Sequence, residues 1–224
     1  MSLKALLFDK DGTLFDFHRS WGPWLTGFLE ETEGDQNALA KALGFDRESQ
    51  RFLHGSVFVH DTLEEILDAM LPHLPNWNRA ELEAFAIAET AKVPQVPTVP
   101  LAPLLKGFKA RGLLLGVATN DNEAPAKAQL KAAGVDGYFD TILGYDSGYG
   151  GKPATGMQRA FCAQHGLAPQ EVLMVGDSLH DIISGRDAGM KTLAVTTGAT
   201  PRKALEAVAE VVLADIGEIE GWLA

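Results

Sequence analysis

The sequence holds a single cysteine, Cys162, among 224 residues, which excludes an intramolecular disulfide and fits a protein of the reducing cytoplasm. Basic charge is scarce as well. Lysine and arginine number 19 against 30 acidic residues, giving a net charge of -11, and no basic stripe is available for a phosphate backbone. Nucleic acid is not an expected partner. No stretch reaches the roughly 20 apolar residues of a membrane span, and the apolar start at residues 1–5 is too short to read as a signal peptide. A membrane partner is not expected either. Internal repeats are absent, and the six histidines show no zinc spacing. What remains is ordinary globular composition, 46% hydrophobic and 22% charged, enough for a sizeable core. The acidity carries one functional constraint. An anionic substrate would be repelled by the global field and must be met by a local cation, either a metal or a placed lysine or arginine.

An apolar run at residues 5–8 reads as a buried strand that stops at Asp9, skips Lys10, repeats the acid at Asp11 and turns at Gly12. Asp-Gly between apolar runs is also a hairpin signal, with residues 14–17 as the returning strand, and this stretch alone leaves the two readings balanced. Residues 17–92 then show only helical patterns, such as Trp21, Trp24, Leu25, Phe28 and Leu29. Prolines 94, 97, 100 and 103 follow at every third position, favouring an extended connection and a domain boundary.

Beyond them, helix and strand alternate. Strands are expected at 113–118, 139–143, 172–175, 192–195 and 211–213, and helices at 104–111, 124–133, 154–165 with Pro153 in the first turn, through 188, and at 202–208. This alternation implies an α/β fold, a Rossmann-like parallel sheet with helices on both faces. The first strand joins that sheet. The expected organisation is therefore a core of residues 1–16 and 97–224 with an inserted α-helical domain at 17–96.

Strand ends on one edge of a parallel sheet converge. Asp9 and Asp11 end the first strand, Thr119 and Asn120 the second, Lys152 precedes a helix, and Gly176-Asp177-Ser178-Leu179-His180-Asp181 ends the strand at 172–175. Four motifs in this order, Asp9-Lys10-Asp11-Gly12-Thr13, Ala118-Thr119-Asn120, Gly151-Lys152-Pro153 and Gly176 to Asp181, resemble the haloacid dehalogenase superfamily in its phosphatase branch. The likeness spans the chain and is greatest to phosphoglycolate phosphatases and their relatives. The helical insertion resembles that family's mobile cap.

The resemblance implies a Mg2+-dependent phosphatase acting on a small phosphorylated metabolite, such as a phosphoglycolate-like compound or a sugar phosphate. Asp9 would be the nucleophile that forms an aspartyl phosphate, and Asp11 the acid and base. Mg2+ would bind the side chains of Asp9 and Asp177 and the main-chain carbonyl of Asp11. Thr119, Asn120 and Lys152 would hold the phosphoryl group, and Asp181 would orient Lys152 or a metal-bound water. The alternatives are a phosphoglucomutase-like phosphotransferase and a regulatory module that binds a phospho-ligand without turnover. The second has no need of a nucleophile and acid pair.

Several residues carry plainer readings. Ser178 and Asp181 match a helix capping box, a role that can coexist with a catalytic one. Trp21 and Trp24, one helical turn apart, read first as core packing. Residues 148–152 have a glycine-rich look, but Asp146 and Pro153 break the Walker pattern. Arg19 and, more weakly, the break at residues 51–56 are candidates for substrate contact from the insertion. Lys10 stands where the family commonly has an apolar residue, and its side chain is expected to face away from Asp9.

Overall fold

A computed structural model describes residues 3–53 and 55–223, with the side chain of His60 also outside the description. The organising strand, β1 (Ala5–Phe8), is completely buried because four consecutive apolar residues serve two cores at once. Strand side chains alternate between faces. Leu6 and Phe8 therefore pack with Leu105 and Phe108, whereas Ala5 and Leu7 pack with Met157 and Phe161.

After β1 the chain builds α1 (Phe17–Glu31), α2 (Gln36–Ala42), β2 (Phe45–Asp46), β3 (Arg51–Phe52), α3 (Val57–His60), α4 (Leu63–Met70) and α5 (Arg79–Thr90). It then enters α6 (Leu101–Ala110), β4 (Leu114–Ala118), α7 (Glu123–Ala132), β5 (Thr141–Leu143), α8 (Gly156–His165), β6 (Val172–Gly176), α9 (Leu179–Asp187), β7 (Lys191–Val195), α10 (Arg202–Glu206), β8 (Val211–Leu213) and α11 (Ile219–Trp222). The strands β5-β4-β1-β6-β7-β8 form one sheet in that order, and every ladder is parallel. This is the expected α/β architecture. Strand β1 lies between β4 and β6, so its C-terminal end faces the ends of both neighbours.

The segment from α1 to α5 has its own apolar cluster, including Phe17, Trp21, Leu25, Leu39, Phe52 and Leu82. Its two connections to the sheet run side by side, where Asp16 N–H donates to Val96 O (2.8 Å) and Thr98 N–H to Leu14 O (3.0 Å).

Three local expectations are corrected, and one open reading is decided. The segment after β1 is not purely helical, because β2 and β3 pair as a small antiparallel ribbon. Two residues a side are too few to leave a period in the sequence. Helix α6 starts at Leu101, with Pro103 in the first turn, where a missing N–H breaks no intrahelical bond. Helix α8 starts at Gly156, because Pro153 and Ala154 belong to a turn in which Ala154 N–H donates to Gly151 O (3.1 Å). The Asp11-Gly12 turn makes no hairpin. Instead Gly12, at φ +84°, folds the chain so that Gly12 N–H donates to Phe15 O (2.7 Å) and Leu14 N–H to Lys10 O (2.9 Å).

Candidate active site

Asp9 continues the alternation of Ala5 and Leu7 and points toward the end of β4 and the Lys152 loop. Its Oδ1 accepts a hydrogen bond from Lys152 Nζ (2.6 Å), and only 6% of the residue is exposed. Asp177, one residue beyond β6, is 3% exposed and accepts from Thr13 Oγ1 (3.3 Å). Asp181, in the first turn of α9, is 1% exposed. Its Oδ1 accepts from Lys152 Nζ (2.6 Å), and its Oδ2 accepts from Ser178 N–H (3.0 Å) and Ser178 Oγ (2.6 Å). The cap and the contact with Lys152 therefore coexist in one carboxylate.

Lys152 is saturated. Its ammonium has three protons, and these go to Asp9 Oδ1, Asp181 Oδ1 and Ala118 O (2.8 Å). As it stands, Lys152 fixes and neutralises Asp9, and it would have to exchange one of these bonds to meet any further acceptor. The loop that carries it is clamped by Asn120, whose Oδ1 accepts from Lys152 N–H (2.7 Å) and whose Nδ2 donates to Lys152 O (3.0 Å). Thr119 Oγ1 accepts from Asp121 N–H (3.1 Å), which leaves the hydroxyl proton available to donate.

The charges do not balance. Asp9, Asp177 and Asp181 bring carboxylate oxygens within 4.8 Å of one another in a buried place, and among the described residues Lys152 is the single cation bonded among them. Burial raises the Asp9 pKa to about 7, with Asp181 and Asp11 adding to the rise and Lys152 opposing it. Burial also raises Asp177 well above the usual carboxylate range, reinforced by Asp9 and Asp181. Burial alone would pull the Lys152 pKa down, but Asp181 and Asp9 outweigh it and hold the ammonium charged. Asp181 has both oxygens engaged, whereas the hydrogen bonds among the described residues leave Asp9 Oδ2 and Asp177 Oδ2 open. This all-oxygen, electron-rich set suits a hard divalent cation.

Lys10 takes the opposite face from Asp9, as its position in the alternation requires. It is completely buried, and its Nζ lies 2.5 Å from Asp11 Oδ2, 3.0 Å from Asp121 Oδ2 and 2.6 Å from Gln129 Oε1. Burial opposes the charge, but Asp11 and Asp121 overcome it and leave the Lys10 pKa raised. The other Asp11 oxygen, Oδ1, accepts from Trp21 Nε1 (2.8 Å) of α1. A residue of the helical segment thus holds the second aspartate directly.

Sequence reasoning missed this use of Trp21 and Lys10, and it missed Gly198. A Cβ at Gly198 would lie 1.6 Å from Asp177 Oδ2, and one at Gly12 would lie 2.5 Å from the same carboxyl group. Both positions must stay bare to leave room for Asp177. The available signal for Gly198 was its place just past the end of β7 on the same sheet edge.

A cleft opens above these groups. Asp9, Asp11, Thr119, Asn120, Lys152 and Asp177 line its sheet side, with Asp181 beneath them, and Trp21, Trp24, Phe58 and Phe85 line the facing side. Arg19 does not join them. On α1 it sits about 200° around the helix from Trp21, is exposed, and is not among the residues lining the cleft. Of the break at 51–56, Phe52 is buried in the neighbouring apolar cluster, and His54 lies outside the described residues.

Residues 3–189 match the family model described as haloacid dehalogenase-like hydrolase. The chain belongs to this family of hydrolases. The pyrophosphatase PpaX of Oceanobacillus iheyensis is 28% identical over 199 residues, covering 87% of this chain and 84% of that protein. The phosphoglycolate phosphatase of Rhodospirillum rubrum is 32% identical over 120 residues, 54% of this chain and 50% of its own. A crystal structure of a predicted phosphoglycolate phosphatase from Haemophilus somnus superimposes with a TM-score of 0.78 at 19% identity, covering 100% of this chain and 99% of that one. At that identity the likeness shows a shared fold.

Proposed function

We propose that the protein is a Mg2+-dependent phosphomonoesterase that works through an aspartyl phosphate on Asp9, beneath a cap formed by residues 17–96. The reading is carried by one observation: a buried, lysine-held Asp9 faces Asp177 across a site short of positive charge, with Asp11 at the mouth of the same cleft. A carboxylate is a weak nucleophile, so its rate must come from positioning and charge neutralisation. Lys152 supplies the positioning by pinning Asp9 Oδ1, which holds the carboxylate at the floor of the cleft.

In the first half-reaction Asp9 bonds to phosphorus, the ester oxygen departs, and Asp11 gives it a proton. In the second, Asp11 takes a proton from water as that water attacks phosphorus, releasing phosphate and restoring Asp9. In this arrangement each Asp11 oxygen has a donor, Trp21 on one and Lys10 on the other, so a proton carried by Asp11 competes with these bonds. Since Trp21 belongs to the helical segment, movement of that segment is coupled to the freedom of Asp11. Thr119, Asn120 and an exchanging Lys152 hold the transferring group. Mg2+, held by Asp9, Asp177 and the Asp11 carbonyl, would neutralise charge building on the phosphoryl oxygens.

The reading is tested by phosphate release from a panel of phosphomonoesters with and without Mg2+. Release that depends on Mg2+ and disappears in Asp9→Asn supports it. A panel with no release by the wild-type protein overturns it, and wild-type turnover by Asp11→Asn would overturn the acid and base assignment.

A further inference from the structure

The substrate's non-phosphate half is legible in the wall that faces the aspartates. Trp24, Phe58, Leu63, Ile66 and Phe85 line the cleft and are half-buried, so each keeps apolar surface facing the open space. Trp21 stands at the junction with the catalytic edge, its one polar atom committed to Asp11. Among the described residues lining the cleft, Lys152 is the sole lysine or arginine, and its three protons are already taken.

Among the described residues an anionic leaving group meets no lysine or arginine on this wall, and the imidazole lining the cleft, His180, lies beside Asp61. Aromatic rings present negative faces. The charged side chain described on the helical side, Asp61, is an acid whose pKa is raised by burial and by Glu65, with His180 opposing the rise. A carboxylate or second phosphate placed there would lose its hydration to apolar groups and face Asp61. On the helical wall, among the described residues, a sugar hydroxyl would find only Asp61 and Thr90 as polar side chains.

We infer that this enzyme hydrolyses phosphate monoesters of uncharged, apolar alcohols, with the alkyl or aryl body of the substrate packed against Trp24, Phe58 and Ile66. The inference rests on the phosphatase reading above. It sets this chain apart from the substrates for which its relatives are named.

The test compares kcat/KM, with Mg2+, for ethyl phosphate, 2-phenylethyl phosphate, phosphoglycolate, pyrophosphate and phosphocholine. Ethyl and 2-phenylethyl esters have leaving groups of similar basicity, so their ratio reads the wall. Burying a phenyl group predicts a preference of about 30-fold for 2-phenylethyl phosphate. Trp24→Ala should cut that ratio below about five-fold, and Ile66→Arg should raise kcat/KM for phosphoglycolate about ten-fold by adding the missing cation. Equal rates for ethyl and 2-phenylethyl phosphate overturn the inference while leaving the phosphatase reading intact. So does a preference for phosphoglycolate, pyrophosphate or phosphocholine. Absence of Mg2+-dependent release from all five overturns the phosphatase reading itself.

Discussion

Replacing Lys10 with methionine is expected to destabilise the protein by about 3 kcal/mol. Methionine keeps much of the volume and loses the charge. Lys10 is fully buried and touches two carboxylates and an amide oxygen, so the substitution leaves Asp11, Asp121 and Gln129 facing a group that donates nothing. Breaking a buried ion pair by removing one partner costs about 3–5 kcal/mol. The lower end applies here, because the Asp11 and Asp121 side chains are 13% and 32% exposed and water can take up part of their charge. For a chain of this length that corresponds to a fall in Tm of about 6–12 °C.

A double variant separates charge from packing. Asp121→Leu added to Lys10→Met removes one of the stranded carboxylates and should return at least about 1.5 kcal/mol, since a neutral replacement of a buried ion pair is often tolerated. Urea denaturation of the four proteins in the cycle measures this. A loss under about 1 kcal/mol for Lys10→Met, or a double variant less stable than Lys10→Met alone, would refute the view that Lys10 is held in the core by these acids.

Asp177→Asn should raise the Tm of the metal-free protein while abolishing the Tm increase that Mg2+ gives the wild type, because Asp177 is repelled by Asp9 and Asp181 until a cation arrives. A metal-free variant less stable than wild type would contradict this. Gly198→Ala should weaken Mg2+ binding about 10–100-fold, read by calorimetric titration, since the new methyl group displaces the Asp177 carboxylate; unchanged affinity would show that the loop yields instead. His18 accepts a hydrogen bond from Phe52 N–H (3.3 Å), and its pKa is lowered by burial, with Arg51 adding to the effect and Asp16 opposing it. The unfolded chain then takes up the proton first as pH falls, so stability present above pH 6.5 should decline toward pH 5, and His18→Gln should flatten that decline in urea midpoints.

The parallel sheet and the shared edge of Asp9, Thr119 and Asp177 were open to a reader of the chain, because unbroken apolar runs ending in these residues are satisfied inside a covered parallel sheet, whereas the order of its strands was not. The family motifs at those ends were legible for the same reason. The ribbon of β2 and β3 was not, since two-residue strands leave no period.

The amino-acid order alone determined which residues stand at strand ends, that Asp9 and Lys10 take opposite faces, and that an acidic chain needs a local cation for an anionic substrate. Only the folded chain decided what those residues touch. The three protons of Lys152, the seat of Lys10 between Asp11 and Asp121, the reach of Trp21 to Asp11, the bare backbone of Gly198 and the exclusion of Arg19 from the cleft all depend on contacts between distant segments. Periodicity reports the face on which a side chain lies, and packing alone supplies its neighbour.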